Sequence, residues 1–102
     1  MLFLIKAENV PDGAALRKST IPAHVAYLNQ YKSRFICGGP MLSDDGNDVI
    51  GSVMVLDMPS REALDSFLAK EPYNMAGLFR KIEIARWRFG TADVNPKDFV
   101  VT

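Results

Sequence analysis

Residues 34–58 read RFICGGPMLSDDGNDVIGSVMVLDM. Two β-rich runs, "RFICGGPM" and "VIGSVMVLDM", flank "LSDDGND", which is polar and rich in turn formers. The stretch therefore predicts two successive strands joined by a loop. Gly38, Gly39 and Pro40 are expected to end the earlier strand, and Gly51 lies inside or beside the later one.

On the N-terminal side, "LFLIKA" (residues 2–7) predicts a first strand, broken by Pro11, Asp12 and Gly13. "AALRKS" reads as a helical turn or two. Thr20 then has the character of an N-cap, with Pro22 in the first turn, where its missing N–H is harmless. Ala23, Tyr27 and Tyr31 recur at helical spacing, so a helix is expected to run to about Ser33. On the C-terminal side, Ser60 caps a second predicted helix, whose Ala63, Leu64, Phe67 and Leu68 form one apolar stripe, and Pro72 stops it. A turn through "YNMAG" leads to a fourth strand over about residues 78–89. Residues 90–102 form a tail whose "FVV" has the character of a short extra strand. The chain is thus read as a single domain over 1–102.

The order strand, helix, strand, strand, helix, strand is the ferredoxin-like β-α-β-β-α-β arrangement, an α+β fold with both helices on one face of an antiparallel sheet. Such a sheet should alternate apolar and polar residues. "LFLI" and "VMVL" are apolar on both faces, and Trp87 and Phe89 fall opposite Ile82 and Ile84 in a regular strand. The uncovered face needs a cover. The same sheet in a second subunit supplies one, and the mostly polar tail is a poor lid. A homodimer is expected, with Phe3 or Ile5, Met54 and Trp87 as interface candidates.

The chain has 102 residues, enough to bury roughly 65% of its unfolded surface. Lys+Arg and Asp+Glu balance at 12 each, which gives no electrostatic footprint for nucleic acid or an anionic membrane. One cysteine, Cys37, excludes an internal disulfide and is expected to be a small buried residue. One cysteine and one histidine cannot build a closed zinc site, and no metal or other cofactor is expected. "MLFLI" is apolar, but Lys6 and Glu8 follow at once, unlike a signal peptide. No apolar run approaches the length of a membrane span. A reducing cytoplasm is the expected setting.

His24 is the sole histidine. If Thr20 is the cap, His24 lies in the first helical turn. The helix end there disfavours imidazolium and favours the neutral ring that a general base requires. A lone histidine at such a place is more often structural than catalytic. A carboxylate partner would orient it, and Asp44, Asp45, Asp48 and Glu71 are the candidates. The aspartates lie in a loop where solvation is the default; Glu71 ends the second helix, before Pro72 and Tyr73. "CGGP" offers backbone N–H groups for a pocket or anion, although a strand-ending turn explains it as well. Arg80, Lys81, Arg86 and Arg88 are interspersed with Glu83 and apolar residues, which suits a solvated strand face or dimer salt bridges better than RNA binding.

"PAHVAYL" (22–28), "GGPM" (38–41) and "EPY" (71–73), in this order and behind an apolar first strand, resemble the YciI-like (YCII-related) family over about residues 1–89. The resemblance implies a dimeric ferredoxin-like α+β barrel with a His–Asp pair as active site. Most members have no assigned reaction, and one removes chloride from a chlorinated hydroxyhydroquinone. By position the family histidine is His24. The family aspartate falls on Glu71, which keeps the charge and adds a methylene. The arginine frequent before the proline is here Ile21.

Two readings follow. One is a small cofactor-independent enzyme in which His24 moves a proton on a small cyclic or aromatic substrate, as a lyase or isomerase. Glu71 would fix the ring, and Tyr73 with Gly38, Gly39, Pro40 and Met41 would line the pocket. The other is a non-catalytic dimeric module that binds a small ligand or a partner protein, with His24 and Glu71 forming a structural hydrogen bond.

Overall fold

The computed structural model describes residues 1–90. The expected extra strand lies outside them. The elements are β1 (Leu2–Asn9), α1 (Ala14–Gln30), a 3-10 turn (Lys32–Arg34), β2 (Phe35–Leu42), β3 (Val49–Asp57), α2 (Arg61–Lys70), α3 (Pro72–Met75) and β4 (Phe79–Trp87). The strands form one antiparallel sheet in the order β2-β3-β1-β4. This is the ferredoxin-like α+β fold.

Register fixes which side chains meet the helices, because direct cross-strand partners share a face. Phe3 pairs with Leu56 and Arg86, Ile5 with Met54 and Ile84, and Ala7 with Ser52 and Ile82. Phe3, Ile5, Met54 and Leu56 are buried with Met58 and with Leu64, Phe67 and Leu68 of α2. The α2 stripe thus seals the centre of one sheet face. Leu2, Leu4, Val53, Val55 and Trp87 lie on the opposite face, where Leu2 pairs with Trp87 and Leu4 with Val55. Of the expected interface candidates, Phe3, Ile5 and Met54 therefore belong to the core beneath the helices; only Trp87 is on the open face. β1 and β3 are apolar on both faces, as their residues predict, and the register turns Phe3, Ile5 and Met54 toward the helices.

α1 departs from the expectation at its start. It begins at Ala14, after Gly13, and passes through Pro22 without interruption. Thr20 does not cap forward. Its hydroxyl donates back to the Leu16 carbonyl at 2.7 Å, and Ser19 Oγ donates to the same carbonyl at 3.0 Å. Hydroxyls bonding back into the preceding turn are a feature of helix interiors. Pro22 removes one intrahelical hydrogen bond. No α1 side chain is fully buried. Tyr27, Leu28 and Tyr31 pack on the core, and Tyr27 donates to the Phe67 carbonyl at 2.9 Å.

β2 also continues where a stop was expected. Gly38, Gly39 and Pro40 lie within it, opposite Met54, Val53 and Ser52. β2 is an edge strand, so a proline without an N–H is tolerated there. Gly51 is inside β3, and only glycine fits: a Cβ would stand 2.2 Å from the Ala7 carbonyl oxygen.

The corner after α2 holds the remaining pieces. Ser60 caps α2 by accepting from the Ala63 N–H at 3.1 Å, as its sequence position predicts. Glu71 is at once the last cap of α2 and the first cap of α3, with Pro72 in the first turn of α3. Asn74 Nδ2 donates to the Leu68 carbonyl at 2.9 Å and ties the two helices together. Among the described residues no helix is long and apolar enough to cross a membrane.

Candidate active site

Glu71 is the one buried charged residue among those described, with no exposed surface. A buried carboxylate is costly unless its oxygens are hydrogen-bonded. Both are. Oε2 accepts from the Asn74 backbone N–H at 3.3 Å, and Oε1 lies 2.5 Å from Nδ1 of His24. The cap thus holds the carboxylate still, and the longer glutamate stem meets His24 directly without an intervening water.

His24 lies in the interior of α1, so the positive end of that helix does not act on it; the effect fades beyond the first turn. The ring is fixed by its neighbours instead. Tyr73 stacks on it with centroids 3.8 Å apart and planes inclined by 12°. An ionised carboxylate only accepts, so the tautomer that matches it has the proton on Nδ1 and a lone pair on Nε2. Tyr73 itself is buried, and burial raises its phenol above the usual tyrosine range. Arg17 opposes that shift and Glu71 adds to it.

The imidazole is partly open, at 16% exposure, and lines a cavity of about 440 Å³. α1 bounds one side of this space; β2 and β3 bound the other. The space exists because the helix-facing sheet positions below α1 are small. Gly38 stands opposite Met54 and Pro40 opposite Ser52. Gly38, Gly39, Pro40 and Tyr73 all line the cavity, and Met41 does not. Met41 packs its methyl group where a Gly51 side chain would stand. Asp44, Asp45 and Asp48 stay in the β2–β3 loop. There the Ser43 hydroxyl and the Asn47 N–H bond to Asp45 and hold its carboxyl below the usual range. Cys37 is exposed, not buried, and sits on the cavity rim.

Besides apolar wall residues such as Leu28 and Phe35, four polar lining residues lie outside the expected site: Arg17, Asn29, Lys32 and Ser52. Arg17, Ile21, His24 and Leu28 share one helical face at spacings of four, three and four. An expected helix start at Thr20 leaves Arg17 outside the helix and hides this pattern. Among the described residues no group of three or more His, Cys, Asp or Glu side chains could hold a metal ion.

A ferredoxin-like sheet with a histidine–carboxylate pair beside a pocket under its first helix defines a class of small α+β proteins. The YCII-related domain model matches residues 1–88, and the chain belongs to that family. Protein YciI of Escherichia coli O6:H1 is 31% identical over 91 residues, covering 82% of this chain and 93% of the relative. Protein YciI of Shigella flexneri matches to the same extent. Among solved structures, 5-chloro-2-hydroxyhydroquinone dehydrochlorinase from Burkholderia phenoliruptrix AC1100, in complex with 2,5-dihydroxybenzoquinone, superimposes with a TM-score of 0.82. It is 34% identical, and the match covers 88% of this chain and 96% of that one. A Pseudomonas aeruginosa protein shares the fold alone, at TM-score 0.51 and 14% identity over 87% of this chain and 93% of that one.

Proposed function

We propose that the chain is a small enzyme that uses His24 and Glu71 for acid–base chemistry on a hydroxylated cyclic or aromatic substrate. The observation that carries this reading is the fixed His24 ring, held through Nδ1 by a buried carboxylate, on the wall of an open cavity. A structural pair would be packed solid; this one adjoins about 440 Å³ of space. The likeness to a dehydrochlorinase supports the chemistry.

In this mechanism Nε2 takes a proton from a substrate C–H or O–H. The electron pair left behind either expels a leaving group, as in a lyase, or shifts a double bond, as in an isomerase. Glu71 stabilises the imidazolium formed. In the isomerase case the ring returns its proton to the substrate. Arg17 lines the same face one turn before Ile21 and supplies a cation for a developing oxyanion, in place of the family arginine that Ile21 lacks. Tyr73 keeps the ring plane.

The working unit is proposed to be a homodimer through the open sheet face. Leu2, Leu4, Val53 and Trp87 form an apolar set there that keeps part of its surface exposed, around the already buried Val55. The functional test is turnover of hydroxylated ring compounds that perturb the His24 ring resonances in a binding screen. His24→Gln should abolish most of it, and equal turnover would remove His24 from the mechanism.

A further inference from the structure

The cavity is larger than a single ring requires. A closed space of about 150 Å³ accepts a benzene ring, and this open one has about 440 Å³. Its lining follows α1 from Arg17 through His24 and Leu28 to Asn29 and continues to Lys32 in the 3-10 turn that follows. At 1.5 Å per residue that is roughly 20 Å of axis, with His24 near the middle. A ring placed at His24 and Tyr73 therefore leaves the far half unfilled.

That half has its own chemistry. Leu28 and Phe35 give apolar walls, and Asn29 and Lys32 give an amide and an ammonium. Helical side chains lean toward the N-terminus, so side chains past His24 lean back along the cavity. Lys32 takes part in none of the ion pairs among the described residues, which are Met1–Asp57, His24–Glu71, Arg61–Asp65, Arg80–Glu8 and Lys81–Glu83. No acidic side chain lines the cavity. A cationic ligand would meet Arg17 and Lys32 with no anion to hold it. A ligand with an apolar stem and an anionic end would fill the walls and pair with Lys32.

We propose that Leu28, Asn29, Lys32 and Phe35 form a second subsite for an apolar tail ending in a carboxylate. The substrate class is then a hydroxylated ring that carries a carboxylate-terminated side chain. The position of the ring rests on the acid–base reading of His24. The tail must cover roughly 12 Å between His24 and the 3-10 turn that carries Lys32.

The test uses para-hydroxyphenyl alkanoates of increasing chain length, each paired with its methyl ester. They are titrated into the isotope-labelled full chain and followed by NMR. The acids should gain affinity with length until the carboxylate reaches Lys32. The longest should bind about fivefold tighter than their esters, the scale of one partly exposed ion pair. They should shift the amides of Asn29 and Lys32 together with the His24 ring. In Lys32→Gln, with an unchanged melting curve, the acid-to-ester ratio should fall to about one. Equal binding of acid and ester by the wild type, or a ratio unchanged in Lys32→Gln, overturns the subsite. The two claims separate in His24→Gln: the ratio persists there if the subsite exists, whereas equal turnover defeats only the acid–base reading.

Discussion

Glu71 binds His24 with one carboxylate oxygen and the first turn of α3 with the other. The residue that orients the proposed base is therefore also the cap that turns the chain from α2 into α3. Stability and site geometry are coupled in a single side chain. Glu71→Ala should cost about 2–3 kcal/mol, the sum of a lost cap and an unsatisfied ring N–H. Glu71→Gln keeps an acceptor oxygen for Nδ1 and should cost less than half as much. Urea denaturation of both variants checks the order, and equal losses would separate the cap from the pair.

Removing His24 tests chemistry and fold separately. Its side chain is partly exposed, and its one aromatic contact is the stacked Tyr73 at the cavity wall, outside the main core cluster; a glutamine can still donate to Glu71. His24→Gln should melt close to the wild type. On a true substrate it should lose about 10² to 10⁴ in rate, the usual contribution of a positioned general base.

The fold was legible because its signals are local and periodic. The turn-rich stretch before Val49, the Ser60 cap and the α2 stripe each depend on residues a few positions apart, and each holds in the structure. The His24–Glu71 contact spans 47 residues, and no spacing rule could give it. The family resemblance carried that assignment. Pro22 misled because proline is commonest in a first helical turn; here helix runs on both sides of it, and Arg17 was lost from view as a result. The strand faces misled for another reason. Where both faces are apolar, hydrophobicity cannot say which one meets the helices, and only the register decides.

Two glycines on neighbouring strands make a paired prediction. A Cβ on Gly51 would stand 2.2 Å from the Ala7 carbonyl oxygen, and one on Gly39 would meet nothing within 4 Å. Gly51→Ala must push β3 away from β1 and should cost about 3 kcal/mol or more. Gly39→Ala should be neutral or stabilise by up to about 1 kcal/mol through the unfolded chain. Thermal unfolding of the two variants side by side reads the contrast.

The proposed dimer is tested at the centre of the open sheet face. Leu4 lies in the middle strand region, opposite Val55 on β3 and Ala85 on β4. A lysine there would place a charge inside an apolar interface but into water in a monomer. Leu4→Lys should therefore sediment as a monomer at micromolar concentration while keeping the helical circular dichroism of the wild type. Phe3→Lys, on the helix-facing side, should unfold the chain instead. A wild type that sediments as a monomer would reject the dimer.

The alkaline side of the stability curve should belong to Tyr27 and Tyr73. Burial is the main cause that raises both phenols above the ordinary tyrosine range, and the neighbouring carboxylate of Glu71 adds to both shifts. For Tyr27 the nearby Tyr31 contributes as well. The folded state therefore keeps these protons at a pH where the unfolded chain releases them. The stabilising contribution is complete below about pH 10 and is lost as pH rises from there through the folded values. Stability measured by urea midpoint should stay flat on this account at neutral pH and fall above about pH 10. The phenolate absorbance of Tyr27 and Tyr73, read as the difference from the double Tyr27→Phe/Tyr73→Phe variant, should appear together with unfolding, not before it. Tyr27→Phe loses the 2.9 Å bond to the Phe67 carbonyl and should be less stable than the wild type at neutral pH. Its stability should nevertheless decline less steeply above pH 10, because one of the two shifted phenols is gone. Wild type and Tyr27→Phe curves that run parallel through that range would show that Tyr27 does not contribute to the alkaline transition.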